Sequence, residues 1–313
     1  MDDDATRQAR EALAKIPALE QLDAQNVTIE RLGGLTNLVF KVASGDDAWC
    51  LRLPGRGTEE YISRENEAQA AREAARAGVS PKVVHADPVS GIMVTRFIAG
   101  AETMSPDLFK SRAGSPARAG ESFRMLHQSD ARFDFRFELF SMIDEYLSLL
   151  AGKTVDLPEG YHDVLAEAET VRAALNAHPL PSAACHCDPL CENFLDTGAR
   201  MWIVDWEYSG MNDPMWDLGD LSVEAGFDAD QEEQMIGAYF GGEPRPDMRG
   251  RIIIYKAMCD LLWTLWGLIQ HANDNPTEDF WAYSTGRFDR CKVLMEWSDF
   301  ARHVQAVAAG PGA

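Results

Sequence analysis

His186, Asp188 and Asn193 stand in the order H-x-D-x-x-x-x-N, and Asp205 follows them at the end of the apolar run Met201-Trp202-Ile203-Val204. That run reads as a buried strand, so the polar residues form a loop clasped between two short apolar segments of the stretch Ala183 to Gly210. A loop held in this way can aim one carboxylate at the proton of a nucleophile, an amide oxygen at a metal ion, and a second carboxylate at the same ion. That spacing suits phosphoryl transfer, with Asp188 the expected base and Asn193 and Asp205 the expected Mg²⁺ ligands. Each residue alone has a plainer use: Asp before Pro forms turns, Asn bonds loop backbone, and Asp ends strands. Their joint order and spacing carries the reading.

A second chemistry competes for the same stretch. Cys185, His186, Cys187 and Cys191 crowd seven positions, and thiolates with an imidazole are ordinary zinc ligands. The C-H-C run places neighbouring ligands closer than the usual gap of about two to four residues, and no second C-x-x-C or H-x-x-x-H pair completes a closed site. The thiols are expected to be small buried packers.

The elements that must position this loop follow from the pattern around it. After a helical stretch from Asp4 to Ile16, residues 27–32, 38–42 and 48–53 read as strands. The first two are joined by Gly33-Gly34-Leu35-Thr36-Asn37. Such a turn can cover nucleotide phosphates, because glycine lets backbone N–H groups approach closely and Thr36 and Asn37 add polar contacts; a plain hairpin turn explains it equally well. Arg52, on the third strand, can pair with phosphates and with a carboxylate from the helical stretch Glu59 to Ala77, where Glu67 is the first candidate and Glu65 the second. Two further strands, 82–86 and 91–97, make about five. Ile98 to Glu102 reads as a hinge, after which strands almost vanish and helices at 105–127, 137–151, 160–177, from 214, and 228–307 take over. Asp217 is placed to brace the catalytic loop from behind, and the tail Ala308 to Ala313 is expected to be disordered.

The chain has 313 residues, 50 acidic against 29 basic, for a net charge of −21. Without a Lys/Arg-rich stripe such a surface repels phosphate backbones, so nucleic acid is not an expected partner. No apolar run reaches the ~18 residues that span a bilayer, so membrane insertion is not expected. The acidic start Met1-Asp2-Asp3-Asp4 is unlike a signal peptide, and the six cysteines do not form a disulfide framework; the reduced cytoplasm is the expected compartment.

With these residues in hand, almost the whole chain resembles the choline/ethanolamine kinase family, within the aminoglycoside-phosphotransferase-like kinases. Gly33 to Asn37 with Phe40-Lys41-Val42 is similar to that family's nucleotide loop, and Leu51-Arg52-Leu53-Pro54-Gly55 to its third strand, with arginine in place of lysine. His186 to Asn193 and Asp205-Trp206-Glu207-Tyr208-Ser209-Gly210 are similar to its catalytic and metal-binding motifs. Asp260 to Gly267 resembles its paired-tryptophan helix, and Ala282-Tyr283 with Arg287-Phe288 a segment with a further pocket aromatic. Trp263 and Trp266 share one helical face, and indole faces attract an ammonium by cation–π forces of ~0.5–2 kcal/mol each, although a W-x-x-W stripe is also a common core face.

The resemblance implies a two-lobed, protein-kinase-like α+β fold, with an antiparallel-sheet nucleotide lobe at 1–98 and a mainly helical catalytic and substrate lobe at 99–313. It implies transfer of the ATP γ-phosphoryl to choline or ethanolamine with Mg²⁺, and a possible homodimer. Asp188, Glu207, Trp263, Trp266 and Tyr283 are expected around the acceptor, and Gly33, Gly34, Thr36, Asn37, Arg52 and Glu67 around the nucleotide. The helix after Asp217 carries fewer aromatics than choline kinases have, which admits ethanolamine or another amino alcohol. The alternatives are a kinase for thiamine or an aminoglycoside, and a non-catalytic module that binds quaternary ammonium.

Overall fold

The structure, a computed structural model, describes residues 4–19, 22, 26–32, 37–55 and 62–312. Gly33, Gly34 and Thr36 of the expected nucleotide turn lie outside the described residues. The first part of the chain forms helix α1 (Asp4–Leu13) and strands β1 (Thr28–Arg31), β2 (Leu38–Ser44) and β3 (Asp47–Leu53), followed by α2 (Arg64–Arg76), β4 (Val83–Ala86) and β5 (Met93–Arg96). The five strands make one antiparallel sheet in the order β1-β2-β3-β5-β4. The β2–β3 hairpin turns at Gly45, whose φ of 59° suits glycine. On β3, Trp49, Leu51 and Leu53 pack into a small core with α1. The two-residue period of a strand sends Cys50 and Arg52 to the opposite face.

Ser63 caps α2 by accepting the Asn66 N–H at 3.3 Å, so this helix starts later than the expected Glu59. The inward face of α2, Ala70, Ala71 and Ala74, belongs to the larger core of the helical part. The chain leaves the sheet at Phe97, whose N–H donates to Ala48 O at 3.1 Å.

Beyond it come β6 (Glu102–Thr103), α3 (Pro106–Ser111), α4 (Ser115–His127), α5 (Leu139–Leu150) and α6 (Tyr161–Ala177). The strands β7 (Ala183–Cys185), β8 (Phe194–Asp196), β9 (Met201–Ile203) and β10 (Gly210–Asn212) follow, then α7 (Met215–Glu224), α8 (Ala229–Phe240), α9 (Pro246–Ala272), α10 (Phe280–Glu296) and α11 (Phe300–Ala309). After the hinge the strands are short, two or three residues each, and few beside the helices. A two-stranded sheet, β7–β10, and a three-stranded one, β6–β8–β9, frame the loop that carries Asp188.

Helix α9 is the spine of this part, with α5, α7, α10 and α11 packed around it. By length and composition it could cross a membrane, but 89% of its apolar window is buried inside the fold, which makes it a core helix. The tail differs from expectation: α11 continues to Ala309, and Gly310, at φ 77°, packs so close to the His178 ring that a Cβ would lie 2.6 Å from it.

Candidate active site

The catalytic-loop residues are held by backbone devices. Asp217, at the start of α7 and fully buried, accepts the His186 N–H at 2.7 Å and the Cys187 N–H at 2.8 Å. Its Oδ2 also lies 2.9 Å from His127 Nε2, and His127 Nδ1 lies 3.0 Å from the Tyr239 hydroxyl. Cys187 sits in the left-handed region at φ 68°, a strained conformation for a residue with a Cβ. The two loop N–H bonds to Asp217 hold that strain immediately before Asp188.

His186 takes no place among the reactive groups. Its Nε2 lies 2.9 Å from Val204 O, its ring stands edge-on to Trp206, and burial pushes its pKa down, so the imidazole is a neutral strut between two loops. The thiols of Cys185, Cys187 and Cys191 are buried, and burial drives all of them up from the ordinary range; they pack as small apolar groups.

Asn193 donates from Nδ2 to Asp188 O at 3.0 Å, so its amide oxygen is the atom left to face a cation. Asp205 follows β9 at φ 65°, again left-handed, and its Oδ1 accepts from Arg52 Nη1 at 3.1 Å. Arg52 also pairs with Glu67 of α2, the first of the expected partners rather than Glu65. Burial alone would lower the pKa of Arg52, but Glu67 and Asp205 outweigh it and keep the guanidinium charged. Its Nε and Nη2 are buried with no protein partner among the described residues, which is the arrangement a phosphate oxygen would complete. Asn37 accepts the Gly55 N–H at 3.2 Å through Oδ1 and thereby ties the residues after β3 to the start of β2.

Glu207 lies on a different side from the one expected. Its carboxylate groups with those of Glu67 and Asp205 within 4.8 Å, and it accepts from Arg64 Nη1 at 3.3 Å. Glu207 and Tyr208 are the central residues of a turn closed by the Ser209 N–H donating to Trp206 O at 3.2 Å, and it is Tyr208, not Glu207, that meets the aromatic residues. Burial and the Asp205 charge push Glu207 up to about 8. Asp205 is raised too, mainly by burial, whereas burial of Glu67 is more than offset by Arg52 and Arg64. An all-oxygen set with this density of negative charge fits a hard divalent cation such as Mg²⁺.

On the other side of Asp188 the aromatic residues meet. Trp266 Nε1 donates to the Tyr208 hydroxyl at 2.8 Å, and the Tyr208 and Trp263 rings stand edge-on at 5.4 Å. Tyr283, from α10, closes on Trp266 at 5.7 Å. Gly267 permits this: a Cβ there would fall 2.6 Å from the Tyr283 ring and 2.3 Å from Ser284 Oγ. Acidic residues accompany the rings. Glu224 holds Arg287 through both oxygens at 2.6 and 3.0 Å, and Asp260 holds Arg287 and Arg290. Asp188 interacts with both sides: burial, the Glu224 charge and the Asp205 charge push it up to about 7.

A family model described as phosphotransferase enzyme family matches residues 28–250. A choline/ethanolamine kinase family protein from Mesorhizobium loti, solved as a crystal structure, is 67% identical, with 98% of this chain and 100% of that one covered and a TM-score of 0.89. The chain belongs to the choline/ethanolamine kinase family. The choline kinase LicA from Streptococcus pneumoniae is 26% identical over 97% of this chain and 98% of its own, at a TM-score of 0.74, and a LicA in complex with AMP matches at 0.73 with the same identity, over 95% of this chain and 98% of its own. A probable ethanolamine kinase of Arabidopsis thaliana is 28% identical over 87% of this chain and 80% of its own. The protein-kinase-like α+β fold is thus established for this family member.

Arg64, Tyr208, Asp220 and Glu224 were not among the expected site residues. Asp220 and Glu224 left one signal: acidic residues one helical turn apart in the otherwise apolar Leu218 to Ala225. Arg64 left none, because only the fold brings the start of α2 to Glu207.

Proposed function

We propose that this chain transfers the γ-phosphoryl group of ATP to the hydroxyl of a small ammonium alcohol, choline or ethanolamine. What supports the reading is that the Asp188 carboxyl feels both Asp205, which belongs with Arg52 and Glu67 in a charged cluster suited to phosphates, and Glu224, which accompanies aromatics suited to a cation. Relatives that are choline and ethanolamine kinases support the acceptor class, and a LicA complex with AMP supports the nucleotide.

A carboxyl held near 7 is half ionised at neutral pH, which suits a base that must take and later release one proton. As the acceptor oxygen attacks the γ-phosphorus and the bond to the ADP oxygen breaks, its proton passes to Asp188. Arg52 would receive phosphate oxygens on its unpaired Nε and Nη2, anchored from behind by Glu67. Asn193 and Asp205, with Glu207 and Glu67 nearby, would hold Mg²⁺, which when bound neutralises phosphate charge. Positioning and charge compensation then supply most of the rate.

The test is ADP release with ATP and Mg²⁺ across choline, ethanolamine, thiamine and an aminoglycoside. Turnover confined to the two ammonium alcohols is expected. Turnover with thiamine or the aminoglycoside alone would return Trp263 and Trp266 to a purely packing role.

A further inference from the structure

The carboxylates beside the aromatic residues differ in what already occupies them. Glu224 gives both oxygens to Arg287, and Asp260 gives both to Arg287 and Arg290. Arg287 also lies over the Tyr283 ring at 4.5 Å, so this end of the aromatic group already holds a cation of the protein's own. Asp220 is different. It sits on α7 one turn before Glu224, 1% exposed, and its Oδ2 accepts from Trp263 Nε1 at 3.4 Å. Its Oδ1 is buried with no partner among the described residues. A buried acceptor of this kind is costly, and native structures keep few without a role. Burial and the charges of Glu224 and Asp188 hold its carboxyl well above the usual range, so a cation beside it, rather than water, is what would ionise it.

We propose that Asp220 determines which ammonium this kinase accepts: Oδ1 takes a hydrogen bond from an N–H of the acceptor, selecting a primary ammonium, ethanolamine, over the quaternary one, choline. The inference rests on the kinase reading above. Both ammonium groups carry the same charge, and the faces of Trp263, Trp266 and Tyr208 attract both. They differ in hydrogen-bond donors. Choline has none on nitrogen, so its methyl groups would press on a desolvated carboxylate that stays unbonded, and a site built to bond an N–H rejects the analogue that lacks one. Glu224 and Asp260 already face arginines that neutralise their charge, so among the described residues Asp220 is the carboxylate beside the rings with a wholly unpartnered oxygen to offer.

The experiment measures kcat/KM, by ADP release with ATP and Mg²⁺, for ethanolamine, its N-methyl and N,N-dimethyl derivatives, and choline. The natural protein should lose efficiency along the series, with ethanolamine ahead of choline by about tenfold or more, which is about 1.4 kcal/mol. Asp220→Asn should shrink that ratio by about tenfold through loss of ethanolamine turnover, with KM for ATP within about threefold of the natural value. A flat or rising series in the natural protein, or an unchanged ratio in the variant, overturns the proposal. Should Asp220→Asn fail to fold, the series in the natural protein decides alone. Absence of ADP release with all of these acceptors would instead sink the kinase reading, and this proposal with it.

Discussion

Asp217→Asn tests whether the loop geometry, and not only its reactive side chains, sets the rate. The natural carboxylate accepts from His186 N–H on Oδ2 and from Cys187 N–H on Oδ1, with His127 also on Oδ2. The amide keeps one acceptor and turns an NH₂ toward the other contact. Whichever way it settles, at least one buried backbone N–H loses its partner, at about 1–3 kcal/mol. For a chain of this size that is a Tm fall of roughly 2–5 °C. The strained Cys187, immediately before Asp188, loses the bond that holds it, and a shift of about 1 Å in the base costs on the order of 10²-fold in rate. The expected result is a kcat drop of roughly that size with KM for ATP within about threefold, because Arg52 and Glu67 are anchored on other elements. The assay is steady-state ADP release beside a thermal scan. A variant that loses stability but keeps natural kcat would refute the bracing argument.

Other perturbations separate the two halves of the site. Arg52→Lys replaces a guanidinium that serves Glu67, Asp205 and the phosphates together by a single point charge, and KM for ATP should rise by about tenfold while KM for the acceptor holds. Gly267→Ala must displace Tyr283 or Ser284 and should do the reverse, raising KM for the acceptor alone; equal effects on both substrates would refute the assigned contact. With Asp188 held up at about 7, kcat/KM should climb with pH and level off above it, and a profile flat through that range would contradict its role as base. Stability runs the other way: Asp188 and Glu207, raised to about 7 and about 8, bind protons more tightly folded than unfolded, so the unliganded Tm should fall as pH rises from the ordinary carboxyl range at about 4 to about 8. Added Mg²⁺ should restore it more at the high end, which thermal scans at both ends would show.

The fold was legible where local pattern and tertiary packing agree. Strands 38–42 and 48–53 lie within β2 and β3, and the helix at 160–177 is α6 to within a residue, because alternation and helical period survive burial. The tail was misread from composition, since nothing local reports that Gly310 meets His178 across the fold. At the site, the grouping of Asp188, Asn193 and Asp205 was legible because one short segment carries them, and the Arg52–Glu67 pair because strand and helix follow each other. That Glu207 sits with Glu67, Asp205 and Arg64 while Tyr208 meets the aromatics was not legible, because the left-handed Asp205 and the turn over 206–209 leave no sign in the sequence. Asp220 left only the weak signal of an acidic pair one turn apart in an apolar stretch; its unpartnered oxygen is a property of three dimensions.

The central claim is that Asp188 directs a phosphoryl group onto the hydroxyl of an ammonium alcohol. The most direct measurement is ³¹P NMR of the products from ATP, Mg²⁺ and ethanolamine or choline, with the natural protein and with Asp188→Asn. The account predicts a phosphomonoester resonance that grows in step with ADP in the natural protein and is lost in the variant. ADP with inorganic phosphate alone, or an undiminished phosphomonoester signal from Asp188→Asn, would contradict it.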